Sequence, residues 1–156
     1  MQVKIKKLHP NAKVPTYATD GSGCFDLYAA TVNESFNFGA HAYEGEPITC
    51  DTGLAFEIPV GHVMLVFSRS GHGFNFNTRL CNAVGVIDQD FRGSVKVKLM
   101  CDEDPESHGS DPLFVMPGDR VAQAIILQYE QVQFLEVEEL TDTARGANGF
   151  GSTGQK

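Results

Sequence analysis

The stretch GVIDQDFRG (residues 85–93) runs straight into the alternating segment SVKVKL (residues 94–99). Apolar residues on both sides of a short polar apex predict a β-hairpin. Three charged residues crowd its tip, Asp88, Asp90 and Arg92, which is more charge than a turn requires. By itself the segment fits either a solvated hairpin with incidental carboxylates or a reactive site, so the choice depends on the rest of the chain.

Outside this hairpin the chain consists of short β-rich runs. Sixteen glycines and seven prolines separate these runs, and no segment keeps apolar residues at helical spacing beyond about two turns. We therefore expect short helices at most, and an all-β sandwich or barrel. The other predicted strands are VKIKKL, ITCDTGLAFEI, HVMLVFS, RVAQAIILQY and VQFLEVEEL.

The bulk composition limits the possible functions. A chain of 156 residues with net charge −8 indicates one domain without a general nucleic-acid-binding surface, although clustered cations could still form a local anion site. Four scattered cysteines without CxxC argue against zinc and disulfides. His62 and His72 have no second ligand at metal spacing, so we interpret them as ordinary exposed or half-buried histidines. No apolar run approaches membrane-spanning length. These features predict a soluble, cytoplasmic protein in a reducing compartment that binds neither nucleic acid nor membrane.

Two stretches before the hairpin carry unusual chemistry. In ATDGSGCFDLYAA (residues 18–30), Asp26 interrupts an apolar run and is either an exposed strand carboxylate or an acceptor for the water shell of Mg²⁺. In FSRSGHG (residues 67–73), a strand end delivers Arg69 and Ser70 to a glycine turn. A guanidinium group, a hydroxyl group and glycine backbone N–H groups together are suited to binding a phosphate. The alternative interpretation is a surface arginine in an ordinary turn.

Two further stretches follow the hairpin, whose own lead-in is RLCNAVG (residues 79–85). In GDRVAQAII (residues 118–126), we expect Asp119 and Arg120 to hold the turn rather than to contact a ligand. Gln123 lies inside an apolar strand, where its amide must be hydrogen-bonded, either structurally or to a ligand. The tail RGANGFGSTG (residues 145–154) sets Phe150 among glycines, which suits a base face and a polyphosphate, or simply a disordered tail.

In this order, the five stretches resemble the five motifs of the homotrimeric dUTPase family, from VPTYATDGSG near the start to GFGSTG at the end. The resemblance implies a jelly-roll-like β subunit over residues 1–144 and a flexible, glycine-rich C-terminal arm over residues 145–156. It also implies a homotrimer with active sites at subunit interfaces. The implied reaction is Mg²⁺-dependent hydrolysis of dUTP to dUMP and pyrophosphate, which limits uracil incorporation into DNA and supplies dUMP for thymidylate synthesis.

The resemblance also assigns roles by position. Asp88 would activate the water that attacks the α-phosphorus and contact the 3′-hydroxyl of the sugar, with Gln123 positioning phosphate or water. Asp26 would hold Mg²⁺ through water. The remaining implied substrate contacts fall into three groups: Arg69, Ser70 and Gly71 on phosphates; Asn82, Gly85, Val86, Ile87, Phe91 and Val97 around uracil and deoxyribose; and Arg145, Phe150, Gly151, Ser152 and Thr153 in the closing arm.

Four positions depart from the usual family pattern. Phe91 replaces tyrosine, Ser68 replaces proline, His72 replaces an aliphatic residue and Asn148 replaces glycine. None of these changes removes a group with an assigned catalytic role.

Two other functions remain open at this stage. A deoxycytidine triphosphate deaminase would share the fold, but the hairpin and the complete arm are of the hydrolase kind. A regulatory protein could instead grip a protein partner through two polar insertions, residues 33–47 and 101–112.

Overall fold

The all-β prediction is confirmed over the residues that the computed structural model describes, which are 1–35, 37–103 and 111–149. Within these ranges the chain forms thirteen strands and one short helix. The elements are β1 (Lys4–Lys7), β2 (Thr16–Tyr17), β3 (Phe25–Tyr28), β4 (Thr31–Val32), β5 (Ala40–Ala42), β6 (Ile48–Asp51), β7 (Leu54–Glu57), β8 (His62–Phe67), α1 (Ser70–Phe76), β9 (Thr78–Leu80), β10 (Val84–Ile87), β11 (Lys96–Cys101), β12 (Leu113–Val115) and β13 (Arg120–Gln128).

Two antiparallel sheets form the body of this jelly-roll-like sandwich. One has the order β10-β8-β13-β3-β2 and the other β4-β6-β11-β9, while β1 pairs with β7 and β12 with β5. Side chains from both sheets fill one core, among them the fully buried Leu27, Leu99 and Val121. The long strand β13 is central to the five-stranded sheet, with β8 and β3 on its two sides.

The predicted hairpin of residues 85–99 is wrong in its pairing. Strand β10 pairs with β8, whereas β11 pairs with β6 and β9, so the two strands belong to different sheets. Alternation in β11 buries Val97, Leu99 and Cys101 on one face, and such a pattern identifies a half-buried strand without identifying its neighbour. The polar stretch between the strands is therefore a loop that crosses from one sheet to the other.

The predicted strand at residues 132–140 is also wrong. The last strand ends at Gln128, and residues 129–149 form no strand with any other described part of the chain. Its apolar side chains lie in solvent, with Phe134 95% and Leu135 85% exposed. The strand-like pattern is present, but no described part of this chain pairs with it.

The insertion at residues 33–47 is more ordered than a plain surface excursion, because β5 lies within it and pairs with β12. Most of the other predicted insertion, residues 104–110, lies outside the described residues. The turn predicted after Arg69 is the first turn of α1, a seven-residue helix that ends at Asn77 in the left-handed conformation. Asparagine tolerates this conformation better than most residues.

Candidate active site

One row of strand residues brings three of the sequence motifs together. Asp26 on β3 is paired with Gln123 on β13, and Gln123 is paired on its other side with Phe67 of β8. Ser68 and Arg69 follow directly where β8 ends. The central strand therefore places the predicted carboxylate, the predicted amide and the start of the phosphate loop side by side.

Asp26 is buried, with only 8% of its surface exposed, which excludes the exposed-carboxylate interpretation. Its Oδ1 lies 3.4 Å from Nε of Arg69, and its Oδ2 lies 3.3 Å from Nη1 of Arg120. Two guanidinium groups thus compensate the charge of one buried carboxylate. The sequence had favoured a turn-holding role for Arg120, and its position near Asp26 follows from the pairing of β13 with β3, which the sequence pattern does not reveal.

Gln123 fixes the start of the phosphate loop. Its Nε2 donates a hydrogen bond of 2.9 Å to the carbonyl oxygen of Ser68. The Ser68 hydroxyl in turn accepts a 2.9 Å hydrogen bond from the backbone N–H of Leu80. The residue before Arg69 is therefore tied both to β13 and to β9, and serine provides a link at this position that proline could not.

His72 lies buried on α1 behind Arg69. Its Nε2 is 3.4 Å from Nη1 of Arg69, and its Nδ1 has no hydrogen-bond partner among the described residues. Burial lowers the pKa of His72 to about 4, the Arg69 charge acts in the same direction, and Asp119 acts against them. The imidazole is therefore neutral at pH 7. His62, by contrast, is partly exposed with its Nδ1 3.0 Å from the Val60 carbonyl oxygen.

A polar cleft opens beside these groups. Its volume is about 340 Å³, and Arg69 and Arg120 bring positive charge to its wall together with Gly71 and His72. Asp119 also lines the cleft, but its Oδ2 accepts a 2.8 Å hydrogen bond from the backbone N–H of Met116 and so holds the turn, as the sequence indicated. Guanidinium groups are well suited to phosphate oxygens.

A second cavity lies between β10 and β11, where the two strands part. It has a volume of about 320 Å³, and its wall includes Asn82, Gly85 and Val97. A Cβ atom on Gly85 would come within 3.1 Å of Cβ of Val66 and 3.7 Å of Nδ2 of Asn82. Glycine lets strand β10 pack closely against β8 here. The pocket lies where β10 and β11, which belong to different sheets, do not pair with each other.

The loop after β10 is held by its own polar residues. Oε1 of Gln89 accepts a 2.7 Å hydrogen bond from the Gly61 N–H, and Nη1 of Arg92 donates to the carbonyl oxygens of Gln89 at 2.6 Å and Phe91 at 2.9 Å. Asp88 is exposed, and no described side chain hydrogen-bonds or ion-pairs with its carboxylate. The side chain of Arg92 therefore stabilises the loop, whereas the carboxylate of Asp88 makes no comparable contact with a described side chain.

The ring of Phe91, which the resemblance placed against the deoxyribose, lies over Gly93. A Cβ atom on Gly93 would come within 2.6 Å of the ring carbon Cζ. The ring is 42% exposed, so one face of it packs on the loop and part of it remains open to solvent. Val86 is exposed and Ile87 is partly exposed on β10.

Within one chain the structure does not bring all the predicted groups together. Val84 is the pairing partner of Phe67, and Asp88 lies four residues further along, roughly 13 Å along an extended strand. The cavity that includes Asp88 shares no lining residue with the cleft that includes Arg69. The predicted general base and the predicted phosphate site of the same chain are thus at separate places.

No residue of the described part of the arm lines the cavities that include Arg69, Asp88 or Asn82. Arg145 is exposed, and its Nε donates a 2.8 Å hydrogen bond to the carbonyl oxygen of Asn148. The predicted contacts Phe150, Gly151, Ser152 and Thr153 lie outside the described residues. None of the described helices is long and apolar enough to cross a membrane.

The metal prediction depends on Asp26 alone. Among the described residues no group of three histidine, cysteine, aspartate or glutamate side chains could hold a metal ion. One carboxylate between two guanidinium groups does not fit direct coordination of a bare cation. It does fit Mg²⁺ that keeps its waters and shares its charge with phosphate oxygens, since this ion commonly uses one or two carboxylates.

Comparison with known proteins gives consistent results. The family model for dUTPase matches residues 10–154. The deoxyuridine 5′-triphosphate nucleotidohydrolase of Helicobacter pylori is 39% identical over 155 residues, covering 99% of this chain and 97% of that protein. The enzyme of the same name from Nautilia profundicola is also 39% identical, covering 99% of this chain and all of that protein (100%).

Solved structures share the fold. A mutant dUTPase of Staphylococcus bacteriophage 80alpha with dUpNHpp has a TM-score of 0.81 at 22% identity, covering 98% of both chains. A mutant dUTPase from phage phi11 of S. aureus, described with the coordination of a structural Mg(II) ion, has a TM-score of 0.73 at 20% identity. It covers 89% of this chain and 98% of that one.

The buried histidine makes stability depend on pH. The unfolded chain binds a proton at His72 near the ordinary pKa of 6.5, but the folded chain does so only near 4. Between these values the unfolded state holds more protons, so lowering the pH removes stability. Chemical denaturation at equal protein concentration should show that His72→Leu gains stability relative to wild type as pH falls from 7 to 5. A difference that stays constant over this range would contradict a buried neutral imidazole.

Proposed function

The chain belongs to the dUTPase family, and on this premise we propose how its residues carry out the hydrolysis of dUTP to dUMP and pyrophosphate. The chain is a dUTP diphosphatase. The observation that carries the mechanism is the cavity between β10 and β11, with the uncommitted carboxylate of Asp88 directly after β10. The activity would limit uracil incorporation into DNA and supply dUMP for thymidylate synthesis. The four free thiols fit a reducing, cytoplasmic compartment.

Uracil enters the pocket between the parted strands. Because β10 and β11 do not pair with each other there, main-chain groups and the Asn82 amide can meet the polar edge of the base. The close approach of Gly85 to Val66 leaves little spare room, which supports rejection of the thymine methyl group. Cytosine would leave buried polar groups unpaired, and such mismatches are rejected strongly.

Asp88 acts as the general base. It accepts a proton from the water that attacks the α-phosphorus in line, and it also accepts a hydrogen bond from the sugar 3′-hydroxyl. An exposed carboxylate that no described side chain contacts is free to do both, whereas the carboxylate of Asp26 already forms ion pairs with two arginines. In phosphoryl chemistry of this kind, positioning and charge stabilisation supply most of the rate.

Phosphates lie in the cleft beside α1. The guanidinium group of Arg69, the hydroxyl group of Ser70 and the backbone of Gly71 meet phosphate oxygens, and Gln123 holds the loop in place through Ser68. Asp26 would hold Mg²⁺ through water molecules, and the ion would supply positive charge that offsets the charge of the phosphates. The acidic chain can therefore bind an anionic substrate that arrives with its own cation.

The chain assembles as a homotrimer with composite sites. Asp88 and Arg69 of one copy line separate cavities, so we expect a complete site to draw on more than one copy. The exposed apolar segment at residues 132–140 supports this arrangement, since a lone chain leaves Phe134 in water. A groove of about 420 Å³ lined by Val3, Ile5 and Phe25 offers apolar surface for such a segment from another copy.

The general base can be tested by Asp88→Asn. The amide keeps the shape but cannot take a proton, so kcat should fall at least about 100-fold while the dissociation constant for dUpNHpp changes little. Pyrophosphate release and calorimetry measure the two quantities. Asp90→Asn is the matched control, because this neighbouring exposed carboxylate should be dispensable. Near-normal kcat in Asp88→Asn, or equal losses in both variants, would contradict the assignment.

Assembly can be tested by Phe134→Glu. The side chain makes little contact within its own chain, so the subunit should still fold, but the trimer should weaken and activity should fall with it. Light scattering combined with pyrophosphate release follows both properties. Phe38→Glu, at an exposed aromatic residue of the insertion, should stay trimeric and active. A fully active Phe134→Glu monomer would refute composite sites.

The arm can be tested by truncation after Ala144. Closing a glycine-rich segment over the substrate is entropically unfavourable but excludes water and aligns the triphosphate. Fold and trimer should therefore survive, and kcat should fall much more than affinity. Because the chain contains no tryptophan, Phe150→Trp should report binding of dUpNHpp by a fluorescence change. Full-rate hydrolysis by the truncated protein would show that the arm has no catalytic role.

A further inference from the structure

Of the two ring nitrogens of His72, Nε2 has a hydrogen-bond partner and Nδ1 has none among the described residues. The residue is only 7% exposed, its Nε2 lies 3.4 Å from Nη1 of Arg69, and its Nδ1 is buried without a hydrogen-bond partner in the described chain. A histidine that merely filled the core would be better replaced by an apolar residue. The position also departs from the aliphatic residue usual in the family.

The contact with Arg69 fixes the form of the ring. A guanidinium group has donors and no acceptor, so Nε2 of His72 must be the acceptor and carry no proton. The proton of the neutral ring then sits on Nδ1. Nδ1 is thus a buried donor without an acceptor, which lowers the stability of the folded chain.

Arg69 is held from two directions. Asp26 attracts its Nε at 3.4 Å, and His72 accepts from its Nη1 at 3.4 Å. If Asp26 were its only partner, the long side chain of Arg69 could contact the carboxylate in several orientations. The second anchor restricts the orientation of the guanidinium group beside the cleft that Arg69 lines.

We propose that His72 is a positioning residue, whose neutral imidazole holds the Arg69 guanidinium in the orientation that receives the phosphate chain of the substrate. This inference deepens the proposed function and rests on it for the identity of the ligand. According to this proposal, the side chain of His72 lowers the stability of the folded chain but strengthens the binding of phosphate. The two effects can be separated by substitution.

Two variants make the test. His72→Leu has a similar volume and no polar atom, so it removes both the anchor and the orphaned donor. His72→Gln can place an amide oxygen near the position of Nε2 and restore the anchor. His72→Leu should raise KM for dUTP about tenfold with a smaller change in kcat, and its Tm at pH 7 should equal or exceed that of wild type. His72→Gln should keep KM within about threefold of wild type.

A readout independent of turnover separates this proposal from the proposed function. Calorimetry with inorganic pyrophosphate and Mg²⁺ should show the same tenfold weakening in His72→Leu and the same rescue by glutamine, whether or not dUTP is hydrolysed. In an Arg69→Lys background, which lacks the guanidinium fork, His72→Leu should cause no further loss.

Three results would overturn the proposal. These are unchanged pyrophosphate affinity and unchanged KM in His72→Leu, equal weakening in the leucine and glutamine variants, and additive losses in the Arg69→Lys background. A wild-type protein that binds pyrophosphate but does not turn over dUTP would instead overturn the proposed function.

Discussion

The register of β13 between β3 and β8 is the constraint on which the site depends. It sets Asp26 beside Gln123 and Gln123 beside Phe67, so that two sequence motifs meet the end of the strand that carries a third. A slip of one residue would turn Gln123 to the other face of the sheet and take its amide away from the Ser68 carbonyl oxygen. The core residues of β13, such as Val121 and Ala124, are fully buried and oppose such a slip.

The parting of β10 and β11 is the second determinant. Each strand belongs to a different sheet, and the space between them is a pocket rather than a paired hairpin. The same parting leads the chain away from the cleft beside α1, so Asp88 and Arg69 line separate cavities. Under the proposed function, the pocket that takes the base and the cleft that takes the phosphates share no lining residue within one chain, so a complete site would draw on more than one copy.

The sequence predicted the strands well because alternation is a local property. It did not predict partners, since Val97 and Leu99 would be buried equally well in a hairpin or in another sheet. It also missed Arg120 as a partner of Asp26, because the two residues meet through pairing 94 positions apart. The expectation that His72 is exposed or half-buried is wrong, because the side chain is buried beside Arg69, a contact that the local sequence does not reveal. Residues 132–140 have a strand pattern, but among the described residues no strand pairs with them.

The composite site is tested most directly by mixing two inactive chains. Asp88→Asn and Arg69→Ala should each abolish turnover as pure trimers. If one site takes Asp88 from one copy and Arg69 from another, co-expressed hybrid trimers contain intact sites, and pyrophosphate release from dUTP should recover to roughly a quarter of wild type by random mixing. If hybrid trimers form and stay inactive, Asp88 and Arg69 act within one chain and the account is wrong.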